Sequence, residues 1–127
     1  NAGEPLLIEI NPRPGATLDV FDDSSGTLFA AHIAACVGEN PAALLQRQWQ
    51  PPQARSVAYL YAAAQPLTVN SINWPDWAMD RPAPGTRVAA QNPIATVCAG
   101  AGTPDAAERL CFERMGQLQT ILYHSAQ

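Results

Sequence analysis

The chain contains no lysine, and all seven of its basic residues are arginine. That absence removes whole classes of chemistry: no lysine Schiff base, no phosphate-loop lysine, and no lysine on which biotin or lipoate could be carried. Charge of either sign is scarce, at 14% of residues, and the balance is −4. A nucleic-acid-binding face draws most of its affinity from clustered positive charge, so this balance argues against such a partner. No apolar run approaches the roughly 18–20 residues that span a bilayer. The opening Asn1-Ala2-Gly3-Glu4 has neither the basic region nor the apolar core of a signal peptide. The expectation is a cytoplasmic protein with no membrane partner. Cysteine is sparse too: Cys36, Cys98 and Cys111 are odd in number, widely spaced, and form no CxxC pair. They make no disulfide framework, and each reads as a small hydrophobe.

What is present suits folding. Hydrophobic residues make up 47% of the 127 positions, enough to bury a core in one compact domain. The twelve prolines and eight glycines cluster in short patches, which predicts a loop-rich α+β arrangement. Pro5-Leu6-Leu7-Ile8-Glu9-Ile10 reads as a strand stopped by Asn11-Pro12-Arg13-Pro14-Gly15. A strand so near the front leads us to expect sheet neighbours upstream of this sequence.

A helix is predicted over 27–37, with Leu28, Phe29, His32, Ile33, Cys36 and Val37 on one face and Ser24, Ser25 and Gly26 as its caps. A short helix over 41–47 follows, opened by Asn40 and Pro41. Strands are expected over 55–63, 67–69, 86–88 and 94–98, with a loop holding one helical turn over 74–82. Thr103 and Pro104 then open a final helix whose core stripe is Ala107, Leu110, Cys111, Met115, Leu118, Ile121 and Leu122. The fold class is therefore α+β: a small mixed or antiparallel sheet with a long C-terminal helix. Residues 1–48 form its first part and 49–127 a β-rich tail with the final helix.

The chemistry concentrates in Glu9-Ile10-Asn11-Pro12-Arg13. Side chains alternate across a strand, so Glu9 and Asn11 share one face, roughly 6.6–6.8 Å apart along it. A carboxylate and an amide oxygen are hard donors of the kind magnesium accepts beside nucleotide phosphates. Arg13 then offers a planar, permanently charged fork to an anion. By spacing alone, an ordinary turn accounts for these residues more often than a metal site does.

The run Glu9-Ile10-Asn11-Pro12-Arg13-Pro14-Gly15 resembles the last metal-binding motif of the ATP-grasp superfamily of carboxylate–amine ligases. Leu28-Phe29-Ala30-Ala31-His32 resembles the helix after that motif in a subfamily of uncharacterised ligases found near one-carbon-metabolism genes. Trp74-Pro75-Asp76-Trp77, Asp80-Arg81-Pro82, Pro84-Gly85-Thr86 and Pro93-Ile94-Ala95-Thr96-Val97 are similar to that subfamily's C-terminal tail. Together these stretches cover most of the chain. The resemblance implies that Glu9 and Asn11 hold Mg2+, that Asn11 and Arg13 meet ATP, and that Arg13 is catalytic, stabilising the transferring phosphoryl group. It implies the C-terminal fragment of an ATP-grasp fold, from an enzyme that activates a carboxylate as acyl-phosphate and joins it to an amine. The one-carbon setting points to cofactor biosynthesis, with a methanofuran- or pterin-like molecule carrying glutamate.

The departures are informative. An ATP-grasp site also needs lysines on the phosphates, a glycine-rich flap, a hinge for adenine, and an acidic ligand about a dozen residues before the motif. The only acid before Glu9 is Glu4. Those parts would belong to an N-terminal portion of the same enzyme, so the fragment alone is expected to bind neither Mg2+ nor ATP and to be inactive. Exposed apolar edges would favour a homo-oligomer. The alternative is a non-catalytic α+β binding or structural module in which the Glu-Asn-Pro-Arg segment is only a turn.

Among the remaining candidates, Asp19 is expected on a solvated loop, and Asp22 and Asp23 in a solvated turn. His32 and Cys36 stand one turn apart, but two ligands alone make a poor zinc site. Trp74 and Trp77 read as plugs between layers, and Asp80 with Arg81 as a surface ion pair. The turn, strand and second turn over 84–94 resemble the local geometry of biotinyl and lipoyl domains, without the lysine that carries the swinging arm.

Overall fold

The computed structural model describes residues 6–15, 17–23, 25–48 and 53–124. The chain divides into two compact units, Asn1–Pro51 and Pro52–Gln127. The architecture is a small α+β fold with a three-stranded antiparallel sheet and a long C-terminal helix. No helix among the described residues is long and apolar enough to cross a membrane.

The first unit is helical. Helix α1 (Leu18–Phe21) is one turn, α2 spans Thr27–Cys36, and α3 spans Ala42–Gln48 and packs on α2. The start of α2 is held by carboxylates. Asp22 accepts from the backbone N–H of Leu28 at 2.8 Å and Phe29 at 3.1 Å, while Asp23 accepts from Ser25 and Thr27. These are first-turn donors with no partner inside the helix, and negative charge suits that end of the dipole. Asp22 is buried, so the expected solvated turn is instead a buried cap. Gly26 occupies the N-cap with φ +69° and supplies no side-chain bond.

At the other end Gly38 adopts φ +82°, its N–H donates to Ala35 O, and the N–H of Glu39 donates to Ala34 O. That is a Schellman stop, which needs a residue tolerant of left-handed backbone. Asn40 Oδ1 accepts from Ala42 N–H at 3.0 Å and opens α3.

Two expectations for this unit are corrected. Residues 6–10 form no strand, and Pro5 lies outside the described residues. A strand is stable only when a neighbour completes its hydrogen bonds, and no backbone bond joins 6–10 to another segment among the described residues. The second concerns α2. The face expected to be buried is outward, with Phe29, Ile33 and Val37 46%, 49% and 68% exposed, while Thr27, Ala31 and Ala34 are buried.

The second unit holds the sheet. Strands β1 (Ala54–Tyr61), β2 (Leu67–Thr68), β3 (Ala78–Met79), β4 (Arg87–Val88) and β5 (Pro93–Ala101) precede helix α4 (Pro104–His124). The main sheet has order β1-β5-β3, all antiparallel, and β2 pairs with β4 separately. Register runs from Ala54 opposite Ala101 to Leu60 opposite Ala95, with an irregularity before Tyr61. Helix α4 lies across β1 and β5. Thr103 Oγ1 accepts from Ala106 N–H, the expected cap. Ala107, Cys111, Leu118 and Leu122 of the predicted stripe are buried, the last three in one cluster with Leu60, Val69, Ile94 and Val97.

Polar side chains tie the loops to this core. Arg114 of α4 donates to Cys98 O at 2.5 Å and stacks 5.4 Å above the Trp77 ring. Tyr123 Oη accepts from Ala63 N–H at 2.8 Å. Arg81 and Asp80 take other partners than each other: Arg81 donates to the carbonyls of Ala78 and Pro75, and Asp80 accepts from Thr96 Oγ1. Trp74 and Trp77 are half-buried and pack against the core.

Two substitutions test these supports. Asp22→Ala removes the acceptor for two α2 amides and should destabilise that helix by about 1–2 kcal/mol. Hydrogen exchange should show lost protection at Leu28 and Phe29, while the amides of β5 keep theirs. Arg114→Met keeps the packing stem but loses a charged hydrogen bond and the ring contact. It should cost about 1.5–3 kcal/mol in urea unfolding followed by tryptophan fluorescence.

Candidate functional site

The segment 6–15 carries Glu9, Asn11 and Arg13. No strand ladder holds it. Asn11 Nδ2 donates to Glu9 Oε1 at 3.1 Å, so the two side chains meet. Both are exposed, and Arg13, two residues on, is exposed as well. Pro12 and Pro14 stiffen the chain on either side of Arg13 by fixing their own φ angles.

The 3.1 Å contact is close to what a hard cation requires. Adjacent oxygens of an octahedral magnesium, at bonds of about 2.0–2.1 Å, lie about 2.9 Å apart. A half-turn of the Asn11 amide exchanges Nδ2 for Oδ1 and would set two oxygens side by side at nearly that spacing. The donor set therefore fits one edge of a magnesium site, with a single carboxylate. Among the described residues, no group of three or more His, Cys, Asp or Glu is arranged to hold a metal by itself. A nucleotide is fitted less well. No lysine exists in the chain to meet its phosphates, and Arg13 is the one guanidinium on this segment.

Other sequence candidates are distributed elsewhere. Asp19 lies on α1 and is exposed. His32 and Cys36 do meet on α2, Cys36 Sγ standing 3.6 Å from His32 Nε2. His124 is exposed in the last turn of α4. In the second unit, a shallow hollow of about 250 Å³ is lined by Tyr59, Asp80 and the 93–96 stretch of β5. Another of about 380 Å³ lies between 65–70 and Tyr123.

Two polar groups take partners other than those expected of them. Asp22 belongs to an Asp-Asp-Ser-Ser-Gly run before a helix, and that composition is itself a capping signal. Of the expected caps Ser24, Ser25 and Gly26, Gly26 is the N-cap and Ser24 lies outside the described residues, while the aspartate side chains hold the amides. Asp80 reaches Thr96 because its left-handed backbone, φ 53°, turns the carboxylate toward β5. No local pattern could have announced that contact between residues sixteen apart.

No protein-family model, no curated protein and no solved structure matches this chain.

Proposed function

We propose that this chain is the C-terminal part of an ATP-grasp carboxylate–amine ligase, working in the cytoplasm, in which Glu9 and Asn11 hold Mg2+ and Arg13 faces the transferred phosphoryl group. The observation that carries the reading is the meeting of Glu9 and Asn11 at 3.1 Å, directly before an exposed arginine, within the run Glu-Ile-Asn-Pro-Arg-Pro-Gly. A second observation supports it. Leu6, Leu7, Ile8 and Ile10 are 75–93% exposed, a strand-like apolar stretch that sheet neighbours from an N-terminal portion of the same enzyme would bury.

The chain's own contribution follows from its residues. Glu9 supplies negative charge and Asn11 a neutral oxygen, together one edge of a metal's coordination. Glu9 and Asn11 would hold the magnesium, and the charge it supplies when bound would offset that of the ATP polyphosphate. The planar guanidinium of Arg13 can give two parallel hydrogen bonds to phosphoryl oxygens. Phosphoryl transfer to a carboxylate needs mainly this positioning and charge stabilisation. The acyl-phosphate so made is open to an amine, which displaces phosphate and leaves an amide. Adenine, the remaining phosphate contacts and the acid and amine substrates fall to the N-terminal portion, so the fragment alone is inactive.

A second reading has its own observation. The second unit closes its sheet and α4 around a core that includes none of Glu9, Asn11 or Arg13. That favours a non-catalytic α+β module.

The readings separate in an assay of full-length enzyme for ATP turnover across acid–amine pairs. Glu9→Gln should lower turnover on the order of a hundredfold or more. Arg13→Ala should depress kcat while leaving magnesium affinity in place. Unchanged turnover in Glu9→Gln removes the site and leaves the module.

A further inference from the structure

Helix α2 carries a second pair of ligand groups, independent of the segment just described. Cys36 Sγ and His32 Nε2 stand 3.6 Å apart, one turn from each other, with Cys36 exposed. Two ligands of a tetrahedral zinc, with bonds of about 2.3 Å to sulfur and about 2.0–2.1 Å to nitrogen, are separated by about 3.6 Å. The pair is thus already spaced as one edge of a zinc tetrahedron. It is half a site. Structural zinc takes four ligands, and no third His, Cys, Asp or Glu joins these two among the described residues.

The helix around the pair says what can complete it. At about 100° per residue, Phe29 lies about 20° from Cys36 on the helical wheel, with Ile33 and Val37 beyond. All three are 46–68% exposed, whereas the opposite face buries Thr27, Ala31 and Ala34. A helix apolar on both sides is expected to be covered on both. An isologous contact places the same patch opposite itself, so a two-fold axis beside Cys36 doubles the ligand set to two cysteines and two histidines. It also sets the exposed apolar residues of one α2 against those of the other.

We propose that two copies of this chain dimerise through α2 around one zinc ion held by His32 and Cys36 of each. Each Cys36 gives its proton to solvent and binds as thiolate, while His32 binds through Nε2 with the proton on Nδ1, so two protons leave per metal. A ten-residue helix offers too little surface for a stable dimer by packing alone, which makes association depend on the metal.

The test is zinc titration of the reduced full chain, with mass in solution read by sedimentation equilibrium and cobalt substituted as a spectroscopic probe. The expected result is one metal per two chains, thiolate-to-cobalt absorption of a tetrahedral site, and a dimer that returns to monomer with a chelator. His32→Ala and Cys36→Ser should each abolish metal uptake and dimer together, and Cys98→Ser should leave both intact. Ile33→Glu should weaken the metal-loaded dimer at least tenfold. One metal per monomer, uptake that survives Cys36→Ser, or a dimer indifferent to chelation would overturn the proposal.

Discussion

Strand β5 has backbone partners on both edges, and this double pairing sets the geometry of the second unit. Val97 lies opposite Ala58 of β1 on one side and Ala78 of β3 on the other. A row of valine between two alanines keeps the centre of the sheet shallow, and Val97 and Leu118 are both fully buried. Ala95 and Ala99 continue the same economy of size along the strand. Because β5 uses its polar backbone toward both neighbours, the groups left over need particular partners. Cys98 shows how that is met: its N–H donates to Trp77 O at 3.1 Å, and its carbonyl accepts from Arg114. The guanidinium that satisfies the carbonyl also stacks on the Trp77 ring, so loop, strand and helix are joined through one side chain.

The long helix was the most legible element, for a physical reason. α4 has one apolar stripe, and the residues of that stripe are the ones buried, with Leu110, Met115 and Ile121 at its half-buried margin. The strands over 55–63 and 94–98 were legible from branched and aromatic residues, and they pair over nearly their full length. Helix α2 misled because its large apolar residues suggested the buried face. Close helix packing selects small residues instead, and Ala31 and Ala34 allow the approach that Phe29 and Ile33 would prevent. The stretch 6–10 misled because composition reports what a strand would be made of, whereas a strand exists only with a neighbour.

The proximity of Glu9 and Asn11 in the candidate site was legible for a reason that does not need the strand. Glu9 and Asn11 are only two residues apart, and they meet even where no ladder forms. Their proximity is a local property. Contacts between distant residues had no such signal: Thr96 with Asp80, Arg114 with Cys98, and Ala63 with Tyr123 are fixed by the packed sheet and α4 rather than by any spacing in the chain.

The first unit is ordered by a different balance. Its buried residues, among those described, are Asp22, Thr27, Ala31 and Ala34, all small, while eight larger apolar side chains from Leu6 to Val37 stand exposed. Polar caps at both ends of α2 and at the start of α3 define local structure, but capping contributes little beside the entropy of ordering a chain. Burial of the exposed apolar groups is where further stabilisation is available, and any partner that covers them adds its binding free energy to that of folding. The two surfaces ask for different partners. Residues 6–10 present backbone as well as side chains, which an added sheet edge satisfies. The outward face of α2 has its backbone already bonded and offers only side chains, which suits another helix. A strand neighbour and a helix neighbour therefore do not compete for the same groups, so the N-terminal portion proposed for the first is compatible with the second copy proposed for the other.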